Sequence, residues 1–405
     1  MKRFLPLLCL LFPFALLAAP KNIIVMVPDG TGFASVTAAR HAKGEPLALE
    51  KVIYGTIETR SADNSVTDSA AAATAMACGE RTYNGAIGVN QQKVPLRSIS
   101  EWARAQGKAV GIVTTDKITG ATPSGFSAHV PSRSNSAEIL AQQITSGFEV
   151  FLGGGRKDLT ETHRAEMEAQ GYQFVTTEAE MDAVQDGKLF GLFSSDIMTA
   201  KVTLRDGTPT TEPTLPEMAA KALDLLAKDP DGFFLMVEGA QVDKGNHEND
   251  LPWATYELLD FDDAVAMVLA WAEKRPDTLV LIAPDHETGG LTLLNESAEG
   301  ARGKALRAAT KKAAGKASDY AVHYSSTWHT GVDVFLAGNQ PAYRPMRNCD
   351  MLTAITGESA QTLAPLEGET LQDGGVTYLR LPEGKTLRAQ YDAIYIPATG
   401  KWYQR

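Results

Sequence analysis

The sequence predicts an α/β fold with a mainly parallel central sheet flanked by helices on both faces. Three observations carry that prediction. Short apolar runs of strand length recur along the chain, Phe233-Phe234-Leu235-Met236-Val237 being the clearest. They alternate with helical patterns, which is the signature of parallel strands joined by crossover helices. Several of the runs end in carboxylates and histidines rather than in simple turns. In open sheets of this kind, ligands gather beyond the carboxyl ends of the strands. Asp29, Glu238, Asp285 and His286 all fall at such ends.

The elements follow in order. Met1-Lys2-Arg3, an apolar run over residues 4–17 and the small residues Ala18-Ala19 read as a secretory signal peptide, residues 1–19. The run is short for a membrane span, and no later stretch is suited to one, so no membrane anchor is expected. The expected location is periplasmic or secreted. Residues 22–27 form a first strand, closed by the glycine-rich turn Asp29-Gly30-Thr31-Gly32. Residues 52–57 form a second. Thr67-Asp68-Ser69 can cap the alanine run that follows, whose helix propensity is high. Residues 96–105 read as a helix, 109–114 and 149–152 as strands, and 214–227 as an amphipathic helix feeding the Phe233 strand. Residues 251–273 are helical, and 278–283 and 332–337 are the last two core strands. Gly153-Gly154-Gly155 reads as a structural turn, since no Lys-Ser/Thr pair follows it.

Two regions depart from this pattern. Residues 295–320 mix Arg302, Lys304, Arg307, Lys311, Lys312 and Lys316 with alanines, and read as a helical insertion reaching to about residue 327. A solvated basic face is preferred there to a substrate-steering lid. Residues 353–405 form a β-rich C-terminal extension with no function readable from sequence. The organisation expected is therefore a catalytic domain over residues 20–352, with that insertion and that extension.

The 405-residue chain carries a formal net charge of −11, and loss of Lys2 and Arg3 with the leader makes it more negative. That disfavours general nucleic-acid binding. Cys9 falls in the leader. Cys78 and Cys349 are far apart in sequence, and Cys78, inside the alanine helix, is expected as a buried free thiol.

Chemistry concentrates after the Phe233 strand. In Val237-Glu238-Gly239-Ala240-Gln241-Val242-Asp243-Lys244-Gly245-Asn246-His247, Asp243 and His247 are four residues apart. On a helix they share a face one turn apart, and a carboxylate with an imidazole so placed suits zinc. Asp29, Asp285, His286 and His329 are further ligands of the right type, enough for more than one divalent ion. Two zinc ions a few ångströms apart clamp the attacking and leaving oxygens of a phosphoryl displacement. Ser69 heads the alanine helix, where the dipole favours an anion. Alone, Ser69 reads as a helix cap, Arg133 equally as a surface ion pair, and His41, His129, His163 and His323 as surface or satisfied structural residues. Tyr324 and Trp328 read as pocket lining or as core.

Taken together the residues resemble the alkaline phosphatases from about residue 22 to 350. The segments that carry the resemblance are Pro28-Asp29-Gly30-Thr31-Gly32, Thr67-Asp68-Ser69-Ala70, Ala121-Thr122-Pro123 and Ala128-His129-Val130-Pro131-Ser132-Arg133, then Leu152-Gly153-Gly154-Gly155-Arg156, the Glu238 to His247 stretch, Asp285-His286-Glu287-Thr288-Gly289-Gly290 and His329-Thr330-Gly331. Each is short, and their shared order is what makes the match specific. The resemblance implies hydrolysis of small phosphate monoesters through a phosphoserine on Ser69. It implies that Asp243, His247 and His329 hold one zinc ion, and that Asp29, Asp285 and His286 hold a second. It implies a third site, usually magnesium, at Asp29, Thr122 and Glu238, whose hard oxygens suit that ion. Arg133 is implied as a planar fork for two phosphate oxygens, and Lys244 as a further phosphate contact through water. A homodimer is left open.

One position departs from the family pattern. Gly120 stands where many members carry a polar Asp or His beside the third metal, and water is the expected filler. Competing readings are weaker. A sulfatase needs a Cys/Ser-x-Pro-x-Arg setting that Ser69 lacks. A diesterase is expected to lack the Arg133 fork. A non-catalytic phosphate- or metal-binding protein is expected to lack a ligand or the nucleophile, and none is missing.

Overall fold

The computed structural model describes residues 20–205, 207–295 and 320–405. The strands of its main sheet are β1 (Asn22–Pro28), β2 (Ile53–Ile57), β3 (Ala109–Lys117), β4 (Val150–Gly154), β5 (Tyr172–Val175), β6 (Lys188–Leu192), β7 (Phe233–Gly239) and β8 (Thr278–Ile282). Short strands β9 (Glu287–Thr288), β10 (Leu291–Asn295), β11 (Tyr320–Tyr324) and β12 (His329–Thr330) lead to β13 (Val334–Gly338), which returns to the main sheet. The nine strands lie in the order β2-β13-β8-β1-β7-β3-β4-β6-β5. Only β13 runs against the rest, pairing antiparallel with β2 and β8. The mainly parallel α/β architecture expected from sequence is therefore present.

β1 lies next to the central strand, between β7 and β8. All seven of its residues are buried, because helices cover both faces of a parallel sheet. Strand alternation divides its side chains between two cores. Ile24 and Met26 join Leu235 and Val237 on one face, with the helices Leu215–Leu226 and Leu251–Glu273. Ile23, Val25 and Val27 join Phe234 and Met236 on the other, with the alanine helix Ser69–Cys78. Small alanines let that second helix sit close to its neighbours, and all ten of its residues are buried.

Local signals set the helix ends. The helix Leu215–Leu226 opens with a capping box between Thr214 and Glu217. The helix expected from residue 96 starts instead at Ile99, because Ser98 and Glu101 form a capping box there. Leu96 is left in a bridge to Thr362. β13 begins two residues later than the expected strand. The far edge of the sheet, β5 and β6, was not anticipated; these strands are only four and five residues long. The tail forms two three-stranded antiparallel sheets, and Ile394, Ile396 and Tyr403 pack on Ala86 and Val89 of the main body. Cys78 is buried, and both it and Cys349 are free thiols. The expected leader and the expected basic insertion lie outside the described residues, apart from the insertion's flanks.

His129 is structural. It is buried, with Nδ1 2.8 Å from the Gly88 carbonyl and Nε2 2.8 Å from Glu101 Oε1. Both nitrogens face acceptors, so the doubly protonated ring satisfies both. Burial opposes the charge, but Glu101 and the Gly88 carbonyl outweigh it and raise the His129 pKa. The stabilisation is then full below the unfolded-state value, near 6.5, and is lost as pH rises through the folded one. Urea unfolding at a series of pH values should show this alkaline loss in the native sequence and not in His129→Gln. At pH 6 that variant should be less stable by about 3–5 kcal/mol. Parallel pH curves for the two proteins would show that the ring is neutral.

Candidate metal centre

The ends of β1, β7 and β8 converge on one cluster of polar side chains. Parallel pairing sets Val27 opposite Glu238 and Pro28 opposite Gly239, and the Asp29 N–H continues the ladder to the Gly239 carbonyl at 3.1 Å. Asp29 and Glu238 are thus fixed by sheet register. The chain turns at once into the helix Gln241–His247, which places Asp243 Oδ1 3.2 Å from His247 Nε2. Asp285 and His286 follow β8. The pairing of β12 with β9 sets His329 opposite Thr288 and stacks the His329 ring on His286, with centroids 3.5 Å apart. Six ligands expected from sequence therefore form two adjoining groups, Asp243-His247-His329 and Asp29-Asp285-His286.

The donor chemistry of each group calls for a cation. His247 Nδ1 lies 2.6 Å from the Thr327 carbonyl, and His329 Nδ1 lies 2.8 Å from the Thr67 carbonyl. Those acceptors keep the proton on Nδ1, as the outer partners of metal-bound imidazoles commonly do. With Nδ1 so occupied, each ring turns Nε2 inward, and the two Nε2 atoms face each other at 3.2 Å. Burial and the neighbouring His286 push the His329 pKa down to about 4, so that ring is neutral at ordinary pH. In the second group, Asp29 Oδ1 and Asp285 Oδ2 are buried without a hydrogen bond. Asp285 Oδ1, by contrast, accepts from the backbone of Gly30 and His286. Bare lone pairs and orphaned carboxylate oxygens at these spacings fit divalent ions, and zinc takes this mixture of nitrogen and oxygen donors.

A third set of oxygens lies beside the second group. Glu238 and Thr122 are 1% exposed each, and Thr122 Oγ1 is oriented toward Glu238 without a hydrogen bond of good geometry. Burial, with the charge of Asp116 next in weight, pushes the Glu238 pKa up to about 8.

Ser69 is the first residue of the alanine helix and is 3% exposed. Its Oγ lies 3.1 Å from His286 Nε2, against the second group. Asp68 caps the helix, accepting from the Ala71 N–H at 2.9 Å, and its other oxygen pairs with Arg133 Nη1 at 3.0 Å. Arg133 is therefore in an ion pair, and the pair stands directly beside Ser69. Lys244 Nζ is 3.3 Å from Asp243 Oδ2, and that neighbour holds its pKa up against burial. Trp328 is 73% exposed, with its ring edge-on to His247 at 5.8 Å. Tyr324 is half-buried and donates to Asn246 Oδ1.

Two contributors were not named from sequence as site residues. Thr288 donates from Oγ1 to Asp243 Oδ1 at 2.6 Å and lies 3.2 Å from His286 Nδ1, tying the two groups together. Its place two residues after His286 was the available signal. Asp68 anchors Arg133, and only the fold brings positions 68 and 133 together.

The family model for alkaline phosphatase matches residues 20–344. The chain belongs to the alkaline phosphatase family. Alkaline phosphatase 3 of Bacillus subtilis is 37% identical over 291 residues, 67% of this chain and 62% of that protein. The chain thus spans less than two thirds of that relative's length. Alkaline phosphatase of Escherichia coli is 34% identical over 328 residues, 66% of this chain and 70% of that one. Among solved structures, the cold-active alkaline phosphatase of a psychrophilic Shewanella is 29% identical with a TM-score of 0.75, covering 83% of this chain and 99% of that one. The alkaline phosphatase of the Antarctic bacterium TAB5 matches with 29% identity and a TM-score of 0.74, over 84% of this chain and 99% of its own. A mutant of the TAB5 enzyme has been solved with magnesium bound in its M3 site.

The arrangement of the two groups depends on the turn at Gly30. With φ +70°, an added Cβ there would lie 2.7 Å from the Asp243 backbone and 2.8 Å from Thr288 Oγ1. Gly30→Ala should therefore push Asp243 and Thr288 apart. In chelator-treated protein it should lower unfolding stability by about 1–3 kcal/mol. An unchanged urea midpoint would mean that the turn relaxes without moving either residue.

Proposed function

We propose that the protein is a metal-dependent phosphomonoesterase that works through a phosphoserine on Ser69. The observation that carries this reading is the 3.1 Å approach of Ser69 Oγ to His286 in the Asp29-Asp285-His286 group. In this reading Asp243, His247 and His329 hold one zinc ion, and Asp29, Asp285 and His286 a second. Asp29, Thr122 and Glu238 hold a third ion, magnesium. The bound ions would supply positive charge at the attacking and leaving oxygens. Ser69 Oγ attacks phosphorus and the ester oxygen departs, leaving the phosphoryl group on Ser69. Water then cleaves that bond and frees phosphate and the serine hydroxyl.

The other residues position the phosphate. Arg133, tied to Asp68, offers a guanidinium that stays protonated, so it orients and neutralises rather than moving a proton. Lys244 adds charge from the Asp243 side. The helix that Ser69 heads directs its positive end toward the same anion. Residues 20–352 would make up the catalytic domain, with residues 353–405 as an extension. Residues 1–19 would direct the protein to the periplasm or outside the cell. No helix among the described residues is long and apolar enough to cross a membrane.

Incubation with labelled phosphate at mildly acidic pH should trap the label on Ser69. Label on another residue, or on Ser69→Ala, would refute the nucleophile. Chelation should abolish activity and zinc should restore it; full activity in demonstrably metal-free protein would end the proposal.

Arg133 supports the preference for monoesters, because a diester has one fewer free oxygen to receive its fork. Charged hydrogen bonds contribute roughly 1.5–3 kcal/mol each. Arg133→Ala should therefore keep its metals and lose roughly 10- to 150-fold on monoesters, with a smaller loss on diesters. Weaker inhibition by free phosphate should accompany it. Equal losses on both classes, with phosphate inhibition unchanged, would place Arg133 outside the reaction.

A further inference from the structure

The structure assigns to Asp116 the role that a side chain at position 120 would otherwise fill: a positioning carboxylate beside the third-ion oxygens Asp29, Thr122 and Glu238. The expectation that water fills the space beside Gly120 is corrected by the geometry. A Cβ built on Gly120 would meet Asp116 Oδ2 at 2.7 Å and Cγ at 3.0 Å. That space already holds a carboxylate, delivered from a different point in the chain.

The end of β3 explains how it gets there. Val113 pairs with Leu152, yet Lys117 pairs with Gly154, so β3 spends four steps where β4 spends two. The irregularity between them re-aims residues 114–116, as bulges near active sites do. The Asp116 N–H donates to Thr114 Oγ1 at 2.8 Å, and that hydroxyl donates onward to Glu238 Oε2. Asp116 Oδ1 accepts from the Lys117 N–H at 2.7 Å. Asp116 itself is 8% exposed.

Two buried oxygens point to an ion in front of it. Thr122 Oγ1 and Asp29 Oδ1 are buried and lack hydrogen bonds, and both belong to the set that faces Glu238. Orphaned buried oxygens are costly unless something binds them. Asp116 is also the strongest charge acting on Glu238, and its field reaches Lys244 and Arg133. It belongs to neither carboxylate–histidine group. Magnesium keeps several of its waters when bound, so a carboxylate at this remove serves by hydrogen-bonding those waters and by balancing Lys244.

The inference rests on the third ion of the proposed function, and the test separates the two. Full-length zinc-loaded protein is titrated with magnesium alone by calorimetry, with zinc counted by elemental analysis. The native sequence should bind one magnesium ion per chain. Asp116→Asn, which keeps shape and removes charge, and Asp116→Ala should weaken that binding about 10- to 100-fold with zinc content unchanged. The combination Asp116→Ala with Gly120→Asp should recover most of the lost affinity, because the carboxylate is returned to the same space. Gly120→Asp alone, which crowds two carboxylates together, should not improve binding. Magnesium affinity unchanged in both single Asp116 variants, or a double variant no better than Asp116→Ala, would overturn the role of Asp116. Loss of zinc along with magnesium in Asp116→Asn would make the residue structural and overturn it as well. A native protein that binds no magnesium would refute the third-ion reading itself, and this role with it, even where phosphate release persists.

Discussion

Four carboxylates, from Asp29, Glu238, Asp243 and Asp285, are confined at the ends of three adjacent strands with 0–3% exposure, and the rest of the site is arranged to make that tolerable. Burial alone raises the pKa of each, and mutual repulsion raises Asp29 and Glu238 further. Nearby positive groups offset part of this. His247 and Lys244 pull Asp243 below the usual carboxylate range against its burial, and His286 does the same for Asp285. For Asp29 the pull of Lys244 is too weak to overcome burial and its carboxylate neighbours, and Glu238, which Thr122 Oγ1 faces, has no cation among its leading influences. Uncompensated buried charge is expensive to the point that groups neutralise or bind metal instead.

The sheet makes this confinement rigid. Asp29 and Glu238 are consecutive with paired residues of β1 and β7, so a slip of one residue would turn both to the opposite face of the sheet. Asp243 rides on a helix that begins two residues after β7 ends. Gly30 permits the turn that lets its N–H reach Asp285. Glu238 thus lies on a buried strand, Asp29 one residue beyond one, and Asp243 and Asp285 within four residues of one, with little loop to absorb misplacement. Such placement on rigid elements is what metal sites and catalytic geometry require.

Most of this was legible in the sequence, because apolar strand runs and the i, i+4 spacing of Asp243 and His247 are local signals. The two groups were expected as groups only through the family resemblance, since residues 29, 243, 285 and 329 are brought together by strand order that no local pattern states. Asp116 was not legible. The sequence showed a missing side chain at Gly120, and the compensating carboxylate comes from an irregular strand end four residues earlier, where pairing register decides which way a side chain points. The edge strands β5 and β6 were missed for a related reason: at four and five residues they are too short for periodicity to separate strand from loop.

The coupling between Ser69 and Arg133 has the same three-dimensional origin. One carboxylate, Asp68, caps the helix through Ala71, holds the Gly85 N–H at 3.0 Å and anchors the Arg133 guanidinium. The helix start sets Ser69, and Gly85 in turn accepts the Arg133 N–H at its carbonyl at 2.8 Å. Asp68 is thus held from both sides of the pocket, so the positions of the proposed nucleophile and the proposed phosphate fork are not independent. The Arg133 side chain is 37% exposed while Ser69 is buried, so solvent screens the ion pair but not the serine. An anion entering the pocket would meet Arg133 first, at the exposed rim, and would be drawn toward a helix terminus whose capping residue already holds that arginine. In the proposed reaction the part-exposed Arg133 would therefore take up the anion's charge before the buried Ser69 is reached.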